Sequence, residues 1–168
     1  MKQVGESNRV KPLNSYKGKV ADELTAKPDR SVHEIVDHLP DGLRYTYCSE
    51  RADYLTMCER VCQMLTERGN LQLAQRNRWN YPYYKGITTH WRAPDENGTR
   101  FEVQLHTIES LEARMLTDRA YARQRDPRTS GEERAKLLDY LYEVADAVPI
   151  PYGADVLPSF RNQEGEQQ

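Results

Sequence analysis

One segment of the chain, Phe101–Thr107, alternates between apolar and polar side chains and is predicted to be a β-strand. Successive side chains of a strand point to opposite faces, so its three apolar residues share one face. The other face carries Glu102, Gln104 and His106. A sheet that buries its apolar face has no structural need for these three side chains in a row. A carboxylate held on a rigid strand is what a metal-dependent phosphoryl transferase requires.

Basic residues and a hydroxyl recur near the start of the chain, at Arg9, Lys11, Ser15 and Lys19. The last three are four residues apart and share one face of a helix that begins early enough. Clustered like charges destabilise a helix, and an anionic ligand such as a triphosphate would offset that cost. The alternative is a solvated basic N-terminus, which is the usual meaning of a basic run.

A turn residue, Asp41, precedes Arg44 at the entrance to a predicted strand. In this position the Asp is a candidate Mg²⁺ ligand and the Arg a candidate phosphate contact. The alternative is a turn Asp with a surface ion pair.

Cations and aromatic residues are mixed between the predicted strands, at Arg76, Arg78, Trp79, Tyr81, Tyr83 and Tyr84. Such a mixture stacks nucleobases and binds phosphates, and it is equally typical of a half-buried strand edge. His90 and His106 fall on the two arms of a predicted hairpin, where they could approach each other as a zinc pair, although no third ligand is evident.

The elements that must position these residues follow from the periodicity and the capping signals. We predict a flexible N-terminus over residues 1–8, one domain over 9–160 and a disordered tail over 161–168. Within the domain the predicted helices are 15–25, 31–39, 50–68, 108–125 and 130–147, and the predicted strands are 43–48, 71–79, 85–92 and 101–107. This order predicts an α+β domain, a mixed β-sheet flanked by helices.

Composition adds limits to this prediction. The 168 residues suffice for one domain, and the net charge of -2 favours neither nucleic acid nor a membrane, so a site for a polyanion must be local. The sequence predicts no membrane span and no signal of its own, which indicates a cytoplasmic protein, or a piece of a longer exported polypeptide. Cys48, Cys58 and Cys62 are expected to be buried thiols.

Taken in order, these segments resemble the synthetase domain of RelA/SpoT-type pyrophosphokinases over residues 9–121. The start matches the family pattern R-x-K-x-x-x-S-x-x-x-K, and the central strand matches its E-V-Q-[IL]-x-T pattern. The segment Tyr84–Ile87 is similar to the Y-x-G-[IL] turn that carries the family's acceptor-stacking tyrosine. The variants in this chain look most like the toxin-associated branch, which is found at the C-termini of bacterial polymorphic toxins.

The resemblance implies a nucleotidyltransferase-like fold and an ATP-dependent pyrophosphokinase that uses Mg²⁺. The implied ATP-binding residues are Arg9, Lys11, Ser15 and Lys19. The implied catalytic residues are Glu102, Asp41 and Arg44, of which Asp41 and Glu102 hold the metal, with Asp37 as the other candidate for the Asp position. The implied acceptor-binding residues are Tyr84, Arg76, Gln104 and His106.

The acceptor side departs from the family pattern. Gly86 stands where many members have Ser, Thr88 replaces a His, and His106 replaces an Arg. The acceptor therefore stays open between a purine nucleotide and the 3′ end of a tRNA, and a non-catalytic nucleotide-binding module is the third alternative. Partners implied by the toxin branch are an immunity or antitoxin protein, with delivery into a target cell.

Overall fold

The alternating segment lies at the centre of a six-stranded sheet, in a computed structural model that describes residues 2–4, 10, 13–39 and 42–162. Of residues 14, 15, 37 and 38 only the backbone is described. The strands are β1 Lys2–Val4, β2 Arg44–Ser49, β3 Leu71–Asn77, β4 Ile87–Arg92, β5 Arg100–Thr107 and β6 Phe160–Arg161. The helices are α1 Leu13–Ala26, α2 Val32–His38, α3 Tyr54–Glu67, α4 Ile108–Arg125 and α5 Gly131–Asp146, with a 3₁₀ turn at Arg51–Asp53.

The strand order across the sheet is β1-β2-β5-β4-β3-β6. β2 runs parallel to β5, and the other neighbours are antiparallel. β4 and β5 form the predicted hairpin, in which Gly98 has a φ of 57° that favours glycine. The mixed sheet with flanking helices confirms the predicted α+β fold. Within the described residues, no helix combines the length and the apolar character that a membrane crossing requires.

The apolar face of β5 forms the core together with one face of α3. Phe101, Val103 and Leu105 are almost fully buried there, against Tyr54 and other residues of α3 and against the indoles of Trp79 and Trp91. The helix therefore covers the sheet face that the alternation predicted to be buried. Cys48 and Cys58 are buried and Cys62 is partly buried, all as free thiols, which agrees with the expectation for these residues.

A buried hydrogen-bond relay joins α3 to the central strand. The Tyr54 hydroxyl donates to the Leu105 carbonyl oxygen at 2.9 Å and accepts from Trp79 Nε1 at 3.1 Å. The rings of Tyr54 and Trp79 meet edge to face, with centroids 5.1 Å apart. Polar groups buried at this depth require partners, so the relay ties the helix, the strand and the loop after β3 to one arrangement.

Reciprocal capping boxes begin two of the described helices, α2 and α4. At α2, Ser31 accepts from the Glu34 backbone N–H and the Glu34 carboxylate accepts from the Ser31 N–H, which is the predicted capping box. At α4, Thr107 and Ser110 exchange the equivalent bonds directly after β5. The second box was not predicted, because serine replaces the usual Glu or Gln at the third helical position.

Two edge strands correct the prediction at the ends of the chain. β1 lies within the stretch predicted to be flexible, and β6 includes Arg161, the first residue of the predicted disordered tail. Strands of three and two residues are too short to show a period. Pairing with β2 and β3 orders them, helped by the bond from Asn162 Nδ2 to the Gln72 carbonyl oxygen at 2.7 Å.

We predict that Tyr54→Phe lowers the free energy of unfolding by about 1–3 kcal/mol, because it leaves the Trp79 N–H and the Leu105 carbonyl without their buried partner. Urea unfolding followed by tryptophan fluorescence measures this change. Tyr152→Phe is the matched control, since Tyr152 is 99% exposed and should leave stability unchanged. Equal stability of wild type and Tyr54→Phe would show that the relay is not stabilising.

Candidate active site

Sheet register brings three polar side chains into a row on the polar face. Arg44 of β2 is paired with Glu102 of β5, which is paired with His90 of β4. Arg44 Nε donates to Glu102 Oε1 at 2.9 Å, and His90 Nε2 lies 3.5 Å from Glu102 Oε2. Glu102 is 8% exposed, so the carboxylate is nearly buried and its position is set by its neighbours.

A second row extends the hydrogen-bond network toward α4. Gln104 lies two residues beyond Glu102 on the same face, and its Nε2 donates to Glu102 Oε1 at 2.6 Å. Arg114 of α4 donates through Nη1 to Gln104 Oε1. Glu102 Oε1 thus accepts from a guanidinium on one side and an amide on the other, and the amide is oriented by a second guanidinium.

Tyr84 contacts His106, which follows Glu102 and Gln104 on the polar face of β5. Its hydroxyl lies 3.1 Å from His106 Nε2, and His106 Nδ1 lies 2.9 Å from Ser110 Oγ. Burial and, to a smaller extent, the positive charge of Arg114 lower the pKa of His106 to about 3. Burial also raises the pKa of Tyr84. A neutral imidazole has one donor and one acceptor, which suits contacts with two hydroxyls.

His106 is fully buried and does not line the cleft. This corrects the expectation that it lies near the phosphates of an acceptor. A neutral imidazole without exposure to the cleft positions Tyr84 instead.

Gly86 permits the turn that places Tyr84 over His106. Its φ of 142° is strained for other residues, and a Cβ there would lie 2.9 Å from the Leu105 carbonyl oxygen and 3.1 Å from His106 Nδ1. The serine that many family members carry at this position would therefore clash with β5 in this chain.

A cleft of about 1940 Å³ opens on this polar face, lined by residues of α1, α2, α4 and α5 as well as the sheet. Among the described residues that line it, twelve are basic and five acidic, although the whole chain has a net charge of -2. The basic ones are Lys19, Lys27, Arg30, Arg44, Arg76, Arg78, Lys85, Arg100, Arg114, Arg125, Arg128 and Arg161. This local excess of positive charge favours a polyanionic ligand.

Six of the predicted site residues line this one cleft: Lys19, Arg44, Arg76, Tyr84, Glu102 and Gln104. Arg9, Lys11 and Asp41 lie outside the described residues, and the side chains of Ser15 and Asp37 do as well. Glu102 is predicted to be catalytic and Tyr84 to bind the acceptor. The two are linked through β5, which carries Glu102 and also His106, the contact of the Tyr84 hydroxyl.

The zinc hypothesis for His90 and His106 is wrong. The hairpin register pairs His90 with Glu102, whereas His106 is engaged by Tyr84 and Ser110. In the part of the chain that the structure describes, no group of three or more His, Cys, Asp or Glu side chains could hold a metal.

A single carboxylate still fits Mg²⁺, because this ion is commonly held by one or two carboxylates together with waters and substrate phosphates. Glu102 is the carboxylate that the described residues place on the polar sheet face, within the basic cleft. Asp41 and Asp37 stay candidates for a second ligand.

Sequence reasoning missed Arg114 and the face of α4 that carries it. Residues at helical spacing on this helix line the cleft: Ser110, Ala113, Arg114, Thr117, Asp118, Tyr121 and Arg125. The helical spacing of these residues could have indicated a face that meets the protein, but most of them are polar. The apolar Met115 and Leu116 of the same helix are instead about two-thirds exposed. A helix whose polar side faces the protein interior looks like an ordinary surface helix.

Comparison with known proteins finds solved structures that are similar to this chain. No protein-family model matches the sequence, and no curated protein matches it. Among solved structures, the chain is similar to protein smu.1046c of Streptococcus mutans, with 13% identity and a TM-score of 0.58 over 87% of this chain and 72% of that one. It is also similar to a GTP pyrophosphokinase family protein of Streptococcus pneumoniae, with 15% identity and a TM-score of 0.57 over 87% and 70% of the two chains.

The small alarmone synthetase 1 of Bacillus subtilis, solved bound to its product pppGpp, is a third similar structure. It has 16% identity and a TM-score of 0.56, over 82% of this chain and 70% of that one. The fold of this chain is therefore that of the RelA/SpoT-type synthetases, as the sequence predicted.

We predict that stability falls as the pH is lowered from 7 to 4, because folding holds His106 neutral. The pKa of His106 is about 3 in the folded protein, below its ordinary value of 6.5, so the unfolded chain binds the proton first. This contribution is complete above pH 6.5 and is lost toward pH 3, at up to about 1.4 kcal/mol per pH unit.

Urea unfolding at several pH values measures this slope. His106→Asn should flatten it, and His33→Asn should preserve it, because His33 is exposed on α2. Parallel curves for wild type and His106→Asn would contradict the prediction.

Proposed function

We propose that this protein is a Mg²⁺-dependent pyrophosphokinase that transfers the β,γ-pyrophosphate of ATP to the 3′-hydroxyl of a purine nucleotide. The observation that carries the proposal is the nearly buried Glu102 carboxylate, held by Arg44 and Gln104 on the floor of a basic cleft. A module that only binds a nucleotide has no need of this braced carboxylate. The likeness in fold to alarmone synthetases supports the proposal.

The reaction requires alignment and charge neutralisation more than covalent participation by the protein. The acceptor 3′-oxygen forms a bond to the β-phosphorus of ATP, the bond from that phosphorus to the oxygen bridging to the α-phosphate breaks, and AMP leaves. Glu102 takes up the proton of the 3′-hydroxyl. Arg44 neutralises negative charge on the group in transfer.

Residues on different sides of the cleft have different proposed roles. Lys19 on α1 lines the cleft and would contact the ATP phosphates. The family resemblance assigns Arg9, Lys11 and Ser15 to the same phosphates. Tyr84 offers its ring to the acceptor base, while Arg76 contacts the acceptor. Mg²⁺, when bound by Glu102 and by Asp41 or Asp37, would neutralise charge on the ATP phosphates.

A polynucleotide acceptor is a second candidate, favoured by an aromatic cluster that continues outward from Tyr84. Tyr83 packs against Tyr81, Tyr121 and Tyr142, with ring centroids 4.9, 6.0 and 6.1 Å away. Arginines accompany these rings, with Arg78 5.3 Å from the Tyr84 ring centroid and Arg125 5.7 Å from that of Tyr121.

Rings and guanidinium groups in series can stack successive bases of a single strand, such as the 3′ end of a tRNA. The toxin role and the immunity protein that the resemblance implies stay predictions.

We predict that Glu102→Gln abolishes pyrophosphate transfer, because the amide neither accepts the hydroxyl proton nor binds Mg²⁺ well. The measurement is transfer of label from γ-³²P-ATP with Mg²⁺, offering GDP, GTP, ADP, ATP and bulk tRNA in parallel. Labelled nucleotide supports the first candidate, and labelled tRNA supports the second.

Glu132→Gln is the matched control, since this exposed carboxylate pairs with Lys136 on α5, and it should transfer normally. Wild-type rates in Glu102→Gln would remove the assignment of this carboxylate. No transfer by wild type to any of these acceptors would favour the binding module.

We predict that Tyr84→Ala raises the KM for the acceptor roughly 5- to 100-fold, the loss expected for one stacked base. The KM for ATP should change less than about twofold, because Tyr84 lies on the acceptor side. Tyr140→Ala, on the exposed side of α5, is the control for losing a tyrosine. Equal losses for both substrates would mean that Tyr84 has a structural role.

A further inference from the structure

At its Tyr84 end, the polar face of β5 brings no positive charge to the cleft; its arginine, Arg100, lies at the other end of the strand. The family pattern has an arginine where this chain has His106, and His106 is fully buried, neutral and engaged at both ring nitrogens. A nucleotide whose base lies on Tyr84 still carries its phosphates into this region. A cation for those phosphates must come from another element.

Arg114 of α4 lies in the required place. Its side chain is 20% exposed and lines the cleft together with Tyr84 and Glu102. Two hydrogen bonds in series, from Arg114 to Gln104 and from Gln104 to Glu102, fix the guanidinium relative to the braced carboxylate. Its position therefore depends on the same strand that positions the site.

Little negative charge compensates Arg114 among the described residues. Gln104 is neutral, and the carboxylate that pairs with the guanidinium belongs to Asp118, with Oδ1 4.0 Å from Nε and the side chain 63% exposed. Such an exposed pair at long distance is weak. A partly buried guanidinium with its planar fork of donors suits a phosphate, which it can bind through two parallel bonds.

The charge of Arg114 acts on both residues of the acceptor side. Burial raises the pKa of Tyr84, and Arg114 opposes this rise. Burial lowers the pKa of His106, and Arg114 adds to this effect. These effects agree with the geometry, in which the guanidinium donates to Gln104, two residues before His106 on the same face of β5.

We propose that Arg114 binds the 5′-phosphates of the acceptor, so that a helix supplies the cation that the family pattern places on the strand. This assignment rests on the proposed function and makes it more specific. The acceptor is then a phosphorylated nucleoside, and the bare nucleoside is rejected because it leaves Arg114 without an anion.

Calorimetric titration tests the assignment without requiring turnover. The ATP site is first saturated with Mg²⁺ and α,β-methylene-ATP, in which carbon replaces the oxygen that the reaction releases. GDP and guanosine, then ADP and adenosine, are titrated into wild type and variants. Wild type should bind one diphosphate roughly 10- to 100-fold more tightly than its nucleoside, as charge-assisted bonds to phosphate predict.

In Arg114→Gln the ratio of the affinity for the diphosphate to the affinity for its nucleoside should fall to about threefold or less. The affinities for the nucleoside and for α,β-methylene-ATP should stay unchanged. Arg114→Lys should keep part of the ratio, since it keeps the charge without the fork. Arg119→Gln is the control, because Arg119 lies on the same helix as Arg114 but is exposed and does not line the cleft. It should behave as wild type.

Three results would overturn the assignment. If Arg114→Gln binds α,β-methylene-ATP normally and keeps the full ratio, Arg114 does not bind the acceptor, although the proposed function stands. If Arg114→Gln loses affinity for all ligands equally together with thermal stability, Arg114 is structural. If wild type binds neither diphosphate, the proposed function fails and the role of Arg114 fails with it.

Discussion

The register of β5 is the constraint on which the rest of the structure depends. Side chains alternate with a period of two, so a slip of one residue would exchange the two faces of the strand. Such a slip would place Glu102 and Gln104 against the indoles of Trp79 and Trp91, at the cost of burying polar groups without partners. Packing of Phe101, Val103 and Leu105 against α3 therefore also determines which side chains face the cleft.

The start of α4 and the candidate site are coupled at the end of β5. Ser110 caps α4 through Thr107, and the same hydroxyl lies against His106, which lies against Tyr84. The start of α4 and the tyrosine at the cleft therefore share one buried network. Arg114 is on the first half of the same helix, so the cap that begins α4 also places its guanidinium over Gln104. Buried and fully connected polar networks of this kind specify one geometry.

The sequence alone was sufficient for the parts of the structure that local rules determine. Alternation in β5, the capping box at Ser31 and the turn around Gly98 predict a strand, a helix start and a hairpin. The face of a helix that meets the protein is a tertiary property when both faces are polar, which is why Arg114 was missed. The burial of His106 depends on Tyr84 and Ser110, far apart in the chain, and a lone histidine gives no sign of it. β1 and β6 are ordered by their partners rather than by their own residues.

We propose that the protein cleaves ATP between its α- and β-phosphates and transfers the β,γ-pyrophosphate to an acceptor. Parallel reactions with α-³²P-ATP and γ-³²P-ATP, under identical conditions and with an acceptor other than ATP, distinguish pyrophosphate transfer from nucleotidyl transfer. We predict that the γ label enters the product, while the α label of the ATP consumed is recovered as AMP. Recovery of the α label in the product would contradict it, because the protein would then transfer a nucleotidyl group.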